Sequence, residues 1–201
     1  MVRISAGVLK GFRIDVPPRV RPTTDQVRQA MFNIVGSRVE GSRILDAFAG
    51  SGAVGIEALS RGASHVTFLE LEPAHIRMLR ANADRMPSGA APGTWVIVGG
   101  DALGHMRRLA GSAPPFDLVF IDPPYEAGLG KKSLNVVAGC AILSPVGLLC
   151  IEHARQHELP TKIGPLEAVK QHRYGETVLS FYQSPNPVQG LCCRLDSDPV
   201  E

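Results

Sequence analysis

The sequence predicts an α/β fold: a mostly parallel seven-stranded sheet, helices on both faces, and an antiparallel last strand. Three observations predict it. Strand and helix patterns alternate from Ile44 to Glu152, and such alternation builds parallel βαβ units. A glycine turn, Gly50-Ser51-Gly52-Ala53-Val54-Gly55, joins the first of these strands to the first of these helices. Near the end the pattern changes. Ala168–Arg173 and Glu176–Gln183 flank Tyr174-Gly175, which is a hairpin signal and turns the last strand antiparallel.

The elements follow in order. Val2–Val8 and Phe12–Val16 are expected to form a hairpin around Lys10-Gly11. Thr23-x-x-Gln26 is a capping box that opens a helix running to about Val35, with Val27, Ala30, Met31 and Ile34 at helical spacing. Strands are then expected at Ile44–Phe48, His65–Glu70, Trp95–Val98, Asp117–Ile121 and Gly147–Glu152. Helices Ala53–Arg61, Pro73–Arg85, Ala102–Leu109 and Lys131–Cys140 lie between them. Pro87–Gly93 is a loop, and His157–Pro165 carries two prolines and too little periodicity for a full helix. From Ser184 onward the proline-rich composition is that of a disordered tail. The organisation is therefore an N-terminal hairpin-helix extension over 1–40, one α/β domain over 41–184, and a tail over 185–201.

Composition sets limits. The 201 residues suffice for one domain with a full core. The N-terminus lacks an apolar stretch of signal length, and no run approaches a membrane span. Cys140, Cys150, Cys192 and Cys193 show neither a disulfide framework nor metal spacing. Cys140 and Cys150 lie in apolar runs and are expected in the core; Cys192-Cys193 is an incidental pair in the tail. A reducing cytoplasm fits, and no metal is expected. Net charge is +2, unevenly spread. Residues 1–45 hold eight Lys/Arg against three acids, +5, which leaves −3 for the remainder. Taken alone, such a bias is that of an ordinary solvated surface; beside the two motifs described below it points to a phosphate backbone.

The strongest local signal is Asp122-Pro123-Pro124-Tyr125. Two prolines directly after a buried strand force a sharp turn. That turn presents a carboxylate, a carbonyl and an aromatic ring from one corner. The Asp122 carboxylate and the Pro123 carbonyl can both accept from one NH2 group, while Tyr125 stacks on the ring bearing it. An exocyclic amine is a weak nucleophile because its lone pair is delocalised. Two acceptors on its hydrogens favour a pyramidal nitrogen and offset the positive charge that grows as it attacks. A plain strand-ending turn is the alternative.

The glycine turn supplies a second signal. Gly50, Gly52 and Gly55 satisfy G-x-G-x-x-G, and Glu70, at the tip of the second strand, is placed to hold ribose hydroxyls. The expected ligand is adenosine-like. Asp46, just before the glycines, would repel a pyrophosphate and suits a cation such as the ammonium of a methionine moiety. Asp101, after the third strand, accepts either from an adenine amine or from the helix that it caps; both roles stay open. Glu152, at the end of the fifth strand, is a candidate to line the pocket beside Asp122. Tyr174 is expected to be structural. His105, His153 and His172 are expected at the surface.

Together Asp46-to-Gly55, Glu70, Asp101 and Asp122-to-Tyr125 resemble a class I S-adenosylmethionine-dependent methyltransferase acting on amino nitrogen. Arg3-to-Gly7, Gly11-to-Arg13 and above all Arg21-to-Ile34 resemble the bacterial 16S ribosomal RNA guanine-N2 methyltransferases of the RsmD type, over roughly residues 2 to 183. The resemblance implies a Rossmann-like methyltransferase domain with S-adenosyl-L-methionine held by Asp46, Phe48, Gly50, Gly52, Glu70 and Asp101. Asp122, Pro123 and Tyr125 would be catalytic. Arg3, Lys10, Arg13, Arg21, Thr23 and Pro124 would bind 16S ribosomal RNA or a small-subunit assembly particle. A monomer is expected. Two rivals remain: the same chemistry on adenine N6 or a protein glutamine, and a nicotinamide-dependent oxidoreductase built on the glycines.

Overall fold

The computed structural model describes residues 1–16, 25–124 and 128–185. The elements are β1 (Val2–Arg3), β2 (Arg13–Ile14), α1 (Asp25–Val35), a 3-10 turn (Gly36–Val39), β3 (Arg43–Ala47), α2 (Ala53–Ser60), β4 (His65–Glu70), α3 (Pro73–Asp84), β5 (Thr94–Gly99), α4 (Ala102–Leu109), β6 (Phe116–Ile121), α5 (Leu129–Gly139), β7 (Leu143–Ala154), β8 (Lys162–Ile163), β9 (Leu166–Tyr174) and β10 (Thr177–Gln183). The main sheet has the order β5-β4-β3-β6-β7-β10-β9-β8. β3 to β7 run parallel, and β10 inserts antiparallel between β7 and β9. This is the Rossmann-like methyltransferase fold. Strand order reverses between β3 and β6, and ligands of such sheets sit at the carboxyl ends of the strands beside that point.

Two expectations about strands change. The main sheet has eight strands among the described residues, not seven. The extra one, β8, pairs only Lys162 and Ile163 with the start of β9. Pro160 and Pro165 flank it, which keeps it short and at the edge. The N-terminal hairpin also pairs over only two residues per strand, Val2 with Ile14 and Arg3 with Arg13. The middle of the intervening chain bonds to α2 instead. Val8 N donates to the Ser60 carbonyl at 2.8 Å, and Leu9 N donates to Ser60 Oγ at 2.8 Å. Gly7 permits that approach: it has φ +81°, and a Cβ there would lie 1.9 Å from the Ser60 carbonyl oxygen.

Each face of the sheet carries a core. Ile4, Ile14, Met31, Phe32, Ile44, Ile56, Phe68, Leu79 and Phe120 pack together under the hairpin, α1, α2 and α3. Leu45, Leu69, Met106, Val119, Leu134 and Ile151 form the other core, under α4 and α5. A buried charge cluster fastens the N-terminal elements to α2. Glu57, fully buried, accepts from Arg28 Nε at 2.8 Å, from Arg61 Nη2 at 2.7 Å and from the Ser5 hydroxyl. Burial alone would raise its carboxyl; Ser5, Arg61 and Arg28 together outweigh that and hold it below the usual range.

Two side chains sit deeper or shallower than the sequence suggests. His153 is buried, not at the surface, because β7 is flanked on both sides; its Nε2 meets Ser180 Oγ at 2.8 Å. Cys140 ends α5 partly exposed, whereas Cys150 is buried in β7. No helix among the described residues is long and apolar enough to cross a membrane.

Candidate active site

The glycine turn begins with strain. Phe48, directly after β3, has φ +67°, the one non-glycine described residue with positive φ. Such a conformation persists only where surroundings impose it, and it recurs at ligand sites. Here Ala49 N donates to the Leu69 carbonyl at 2.9 Å and pins the turn to β4. Gly50 follows with φ +54° and nothing within 4 Å of where its Cβ would be. Its N–H donates to Glu70 Oε2 at 2.7 Å, and Glu70 Oε1 accepts from Glu72 N at 2.8 Å. Both carboxyl oxygens of Glu70 are thus oriented, each with further lone pairs for a ligand hydroxyl.

Gly52 and Gly55 serve packing. A Cβ on Gly52 (φ +79°) would fall 2.1 Å from Leu79 Cδ1 of α3. One on Gly55 would fall 2.2 Å from Phe68 Cε1 of β4. Gly52 is the N-cap of α2 and has no side chain to cap with. Asp46 does that from the neighbouring strand, accepting from Gly55 N at 2.8 Å. Asp46 is 4 % exposed. Burial, with lesser contributions from the Asp122 and Glu70 charges, raises its carboxyl to about 8, although the Gly55 bond opposes the rise. The carboxyl that the sequence places before the glycines is thus a buried one, held by the helix it caps. Burial disfavours its ionised form, and a ligand cation beside it would favour that form. Asp101 is the N-cap of α4, accepting from Gly104 N at 2.8 Å, and remains exposed.

The second half of the site comes from register. β-strand side chains alternate between faces. Asp46 pairs with Phe120, and Phe120 with Cys150. Two residues on from Phe120 and Cys150 come Asp122 and Glu152, on the same face and in the next row; Leu179 of β10 lies opposite Glu152. A small cavity is lined by this set together with Met31 of α1, Val54 of α2 and Ile121. Asp122 is half-buried at the end of β6, and its N–H donates to the Ala47 carbonyl at 3.4 Å. Pro123 is buried and Pro124 exposed. Tyr125, Arg21 and Thr23 lie outside the described residues, as does the tail from 186.

Arg3, Lys10 and Arg13 are exposed on the N-terminal segment. The backbone of that segment is anchored: the Arg3 carbonyl accepts from Arg28 Nη2 at 2.7 Å and the Arg13 carbonyl from Arg85 Nη2 at 3.1 Å. Arg28 itself contributes nothing to the outward charge, being fully buried against Glu57. Three further residues bear on the site. Met31 brings the N-terminal helix to the cavity. Buried Asn82 donates to the carbonyls of Ser51 and Asp15, each at 2.9 Å, and so links the glycine turn to the N-terminal segment. An asparagine on the apolar face of α3 was the available signal for it. Leu71 holds a large apolar side chain 66 % exposed directly after Glu70.

The family model described as Conserved hypothetical protein 95 matches residues 2–183, from the hairpin through β10. This chain belongs to that family. Ribosomal RNA small subunit methyltransferase D of Escherichia coli is 33% identical over 184 residues, covering 90% of this chain and 89% of that protein. The protein of the same description in Haemophilus influenzae is 33% identical over 162 residues, covering 80% and 82%. The solved structure of the Escherichia coli protein yhhF matches with a TM-score of 0.78 at 31% identity, over 91% of this chain and 97% of that one. In this family member the N-terminal helix, the glycine turn and the β6 corner converge on one cavity.

Proposed function

We propose that this protein transfers a methyl group from S-adenosylmethionine to the N2 amine of a guanine in 16S ribosomal RNA, acting as a monomer in the cytoplasm. The carrying observation is the Asp122 corner. It stands at the carboxyl end of β6, in one cavity with Asp46 and beside the glycine turn. The relatives' description as small-subunit ribosomal RNA methyltransferases supports the substrate.

The donor group fits the residues present. Gly50 leaves open space at a positive φ, Glu70 has two oriented oxygens, and Asp46 is a buried carboxyl that a ligand ammonium would ionise. When bound, the donor supplies an electrophilic methyl on a sulfonium. The protein does the rest. Asp122 and the Pro123 carbonyl accept from the two hydrogens of the amine, keeping its lone pair out of conjugation. The donor would give up its methyl and leave as a neutral thioether, and the attacking nitrogen would gain positive charge next to Asp122. That charge makes the amine acidic, so its proton passes to Asp122 or water without a strong base. The base has to leave its stack to reach this corner, where Tyr125 would stack on it.

The test has two parts. Titrations with S-adenosylhomocysteine and with NAD should give binding of the first alone; the reverse sinks the cofactor assignment. Small-subunit particles from a strain lacking the enzyme, incubated with methyl-labelled donor and digested to nucleosides, should yield N2-methylguanosine. A labelled N6-methyladenosine or methylated protein would replace the guanine reading with one of its rivals.

A further inference from the structure

We infer that Glu152 reads the ring N1–H of the target guanine, and so selects guanine over purines that carry an amine without that hydrogen. The inference rests on the guanine reading above and specifies how the same site would recognise the base.

Geometry supplies the first ground. Ile121 of β6 pairs with Ile151 of β7, so the next residues, Asp122 and Glu152, stand side by side on neighbouring strands. Such strands lie about 4.8 Å apart. Both side chains line the one cavity, and Glu152 is only 7 % exposed. The rest of the lining beyond Asp46 is Met31, Val54, Phe120, Ile121, Cys150 and Leu179, mostly apolar side chains. Asp122 and Glu152 are therefore the polar side chains at the β6–β7 strand ends that line this cavity, where a base engaged by the Asp122 corner would meet them.

Chemistry supplies the second. Guanine presents two adjacent kinds of donor on one edge, the 2-amine and the ring N1–H. Adjacent carboxyl groups, when ionised, offer acceptors only. With the amine on Asp122 and the Pro123 carbonyl, the N1–H is the remaining donor, and Glu152 is the next acceptor along the sheet. A purine with a bare N1 would set a lone pair against a carboxylate. That repulsion disfavours the analogue, and a site built to bond a donor discriminates strongly against a base that lacks it.

2-Aminopurine keeps the 2-amine and lacks both the N1–H and the O6 carbonyl, so the Glu152 variants assign the share of the preference that belongs to the N1–H. The experiment uses the full chain and small-subunit particles carrying either guanine or 2-aminopurine at the mapped target position, with kcat/KM as the readout. The wild type should prefer guanine by about 10² or more. Glu152→Gln places an amide donor there and should lower guanine turnover at least tenfold while collapsing the preference; Glu152→Asp should restore part of it. S-adenosylhomocysteine affinity should stay within about twofold in both variants, which checks the fold and the cofactor site. If the wild type makes N2-methylguanosine and Glu152→Gln keeps the full preference, Glu152 is a wall residue and this inference alone falls. If the wild-type product is not N2-methylguanosine, the guanine reading falls and takes this inference with it.

Discussion

At the residue scale Asp46 concentrates the electrostatics of the site. Its carboxyl is raised from 3.8 to about 8 by burial. The unfolded chain ionises near the lower value, so between pH 4 and 8 the folded state holds the extra proton. Stability contributed by that proton is fully present below pH 4, falls as pH rises, and is gone above about 8. Urea unfolding of cofactor-free protein from pH 5 to 8.5 should show this loss, up to a few kcal/mol, and Asp46→Asn should flatten it. Equal slopes in both proteins would remove the buried proton. The same group predicts that S-adenosylhomocysteine binding at pH 7 releases a proton, because its ammonium favours the ionised form. Calorimetry in two buffers of different ionisation enthalpy measures that release, and Asp46→Asn should abolish it. Asp122 acts on the other reactant. Asp122→Ala should lower turnover by about 10²–10³, as loss of one preorganised electrostatic group does elsewhere. S-adenosylhomocysteine affinity should change little. A variant keeping more than a tenth of wild-type turnover would make Asp122 a turn residue.

At the element scale the site depends on how α2 is held. Gly55 lets α2 lie against β4, and an added Cβ would meet Phe68 Cε1 at 2.2 Å and Val66 Cγ1 at 2.8 Å. Gly55→Ala gains about 1 kcal/mol of helix propensity but overpacks a rigid wall, which typically costs about 1–3 kcal/mol. The expected net result in urea unfolding is a loss of stability with weakened S-adenosylhomocysteine binding, since α2 carries the turn. A stabilised variant would show that α2 can shift freely. Glu57 holds α2 from the opposite side. Glu57→Gln leaves buried Arg28 with only the more exposed Asp25, 2.9 Å from its Nη2, as counter-charge, and breaking a buried pair costs up to about 3–5 kcal/mol. Because Arg28 also binds the Arg3 carbonyl, the N-terminal segment should become protease-sensitive before the rest of the chain; uniform protection would argue against that coupling.

At the scale of the whole molecule the N-terminal elements share a core with the sheet, and their outward face is basic. Arg3 and Arg13 are direct cross-strand partners, an arrangement that is unfavourable for like charges without an anion between them. Their carbonyls are tied to Arg28 and Arg85 while their side chains are exposed. Replacing Arg3, Lys10 and Arg13 by alanine should weaken RNA binding and reduce its salt slope by about 0.7–0.9 for each phosphate no longer neutralised. Cofactor affinity should be untouched. An unchanged slope would make the basic face a solvated surface.

The alternation of strands and helices, the antiparallel last strand, the glycine turn and the strand-end positions of Glu70 and Asp122 were all legible in the sequence. Each is a local pattern of period, turn residue and motif spacing, and local patterns survive without knowledge of the partner strands. The tertiary structure alone decided what depends on distant pairing. Register across β3, β6 and β7 sets Asp46, Asp122 and Glu152 on one face. Burial raises the carboxyl of Asp46, which also caps α2 through Gly55 N. Glu57, twenty-nine positions away in sequence, takes Arg28 out of the basic face. The physical reason is common to all three: a side chain's charge and reach are set by what is packed against it, and those neighbours come from remote parts of the chain.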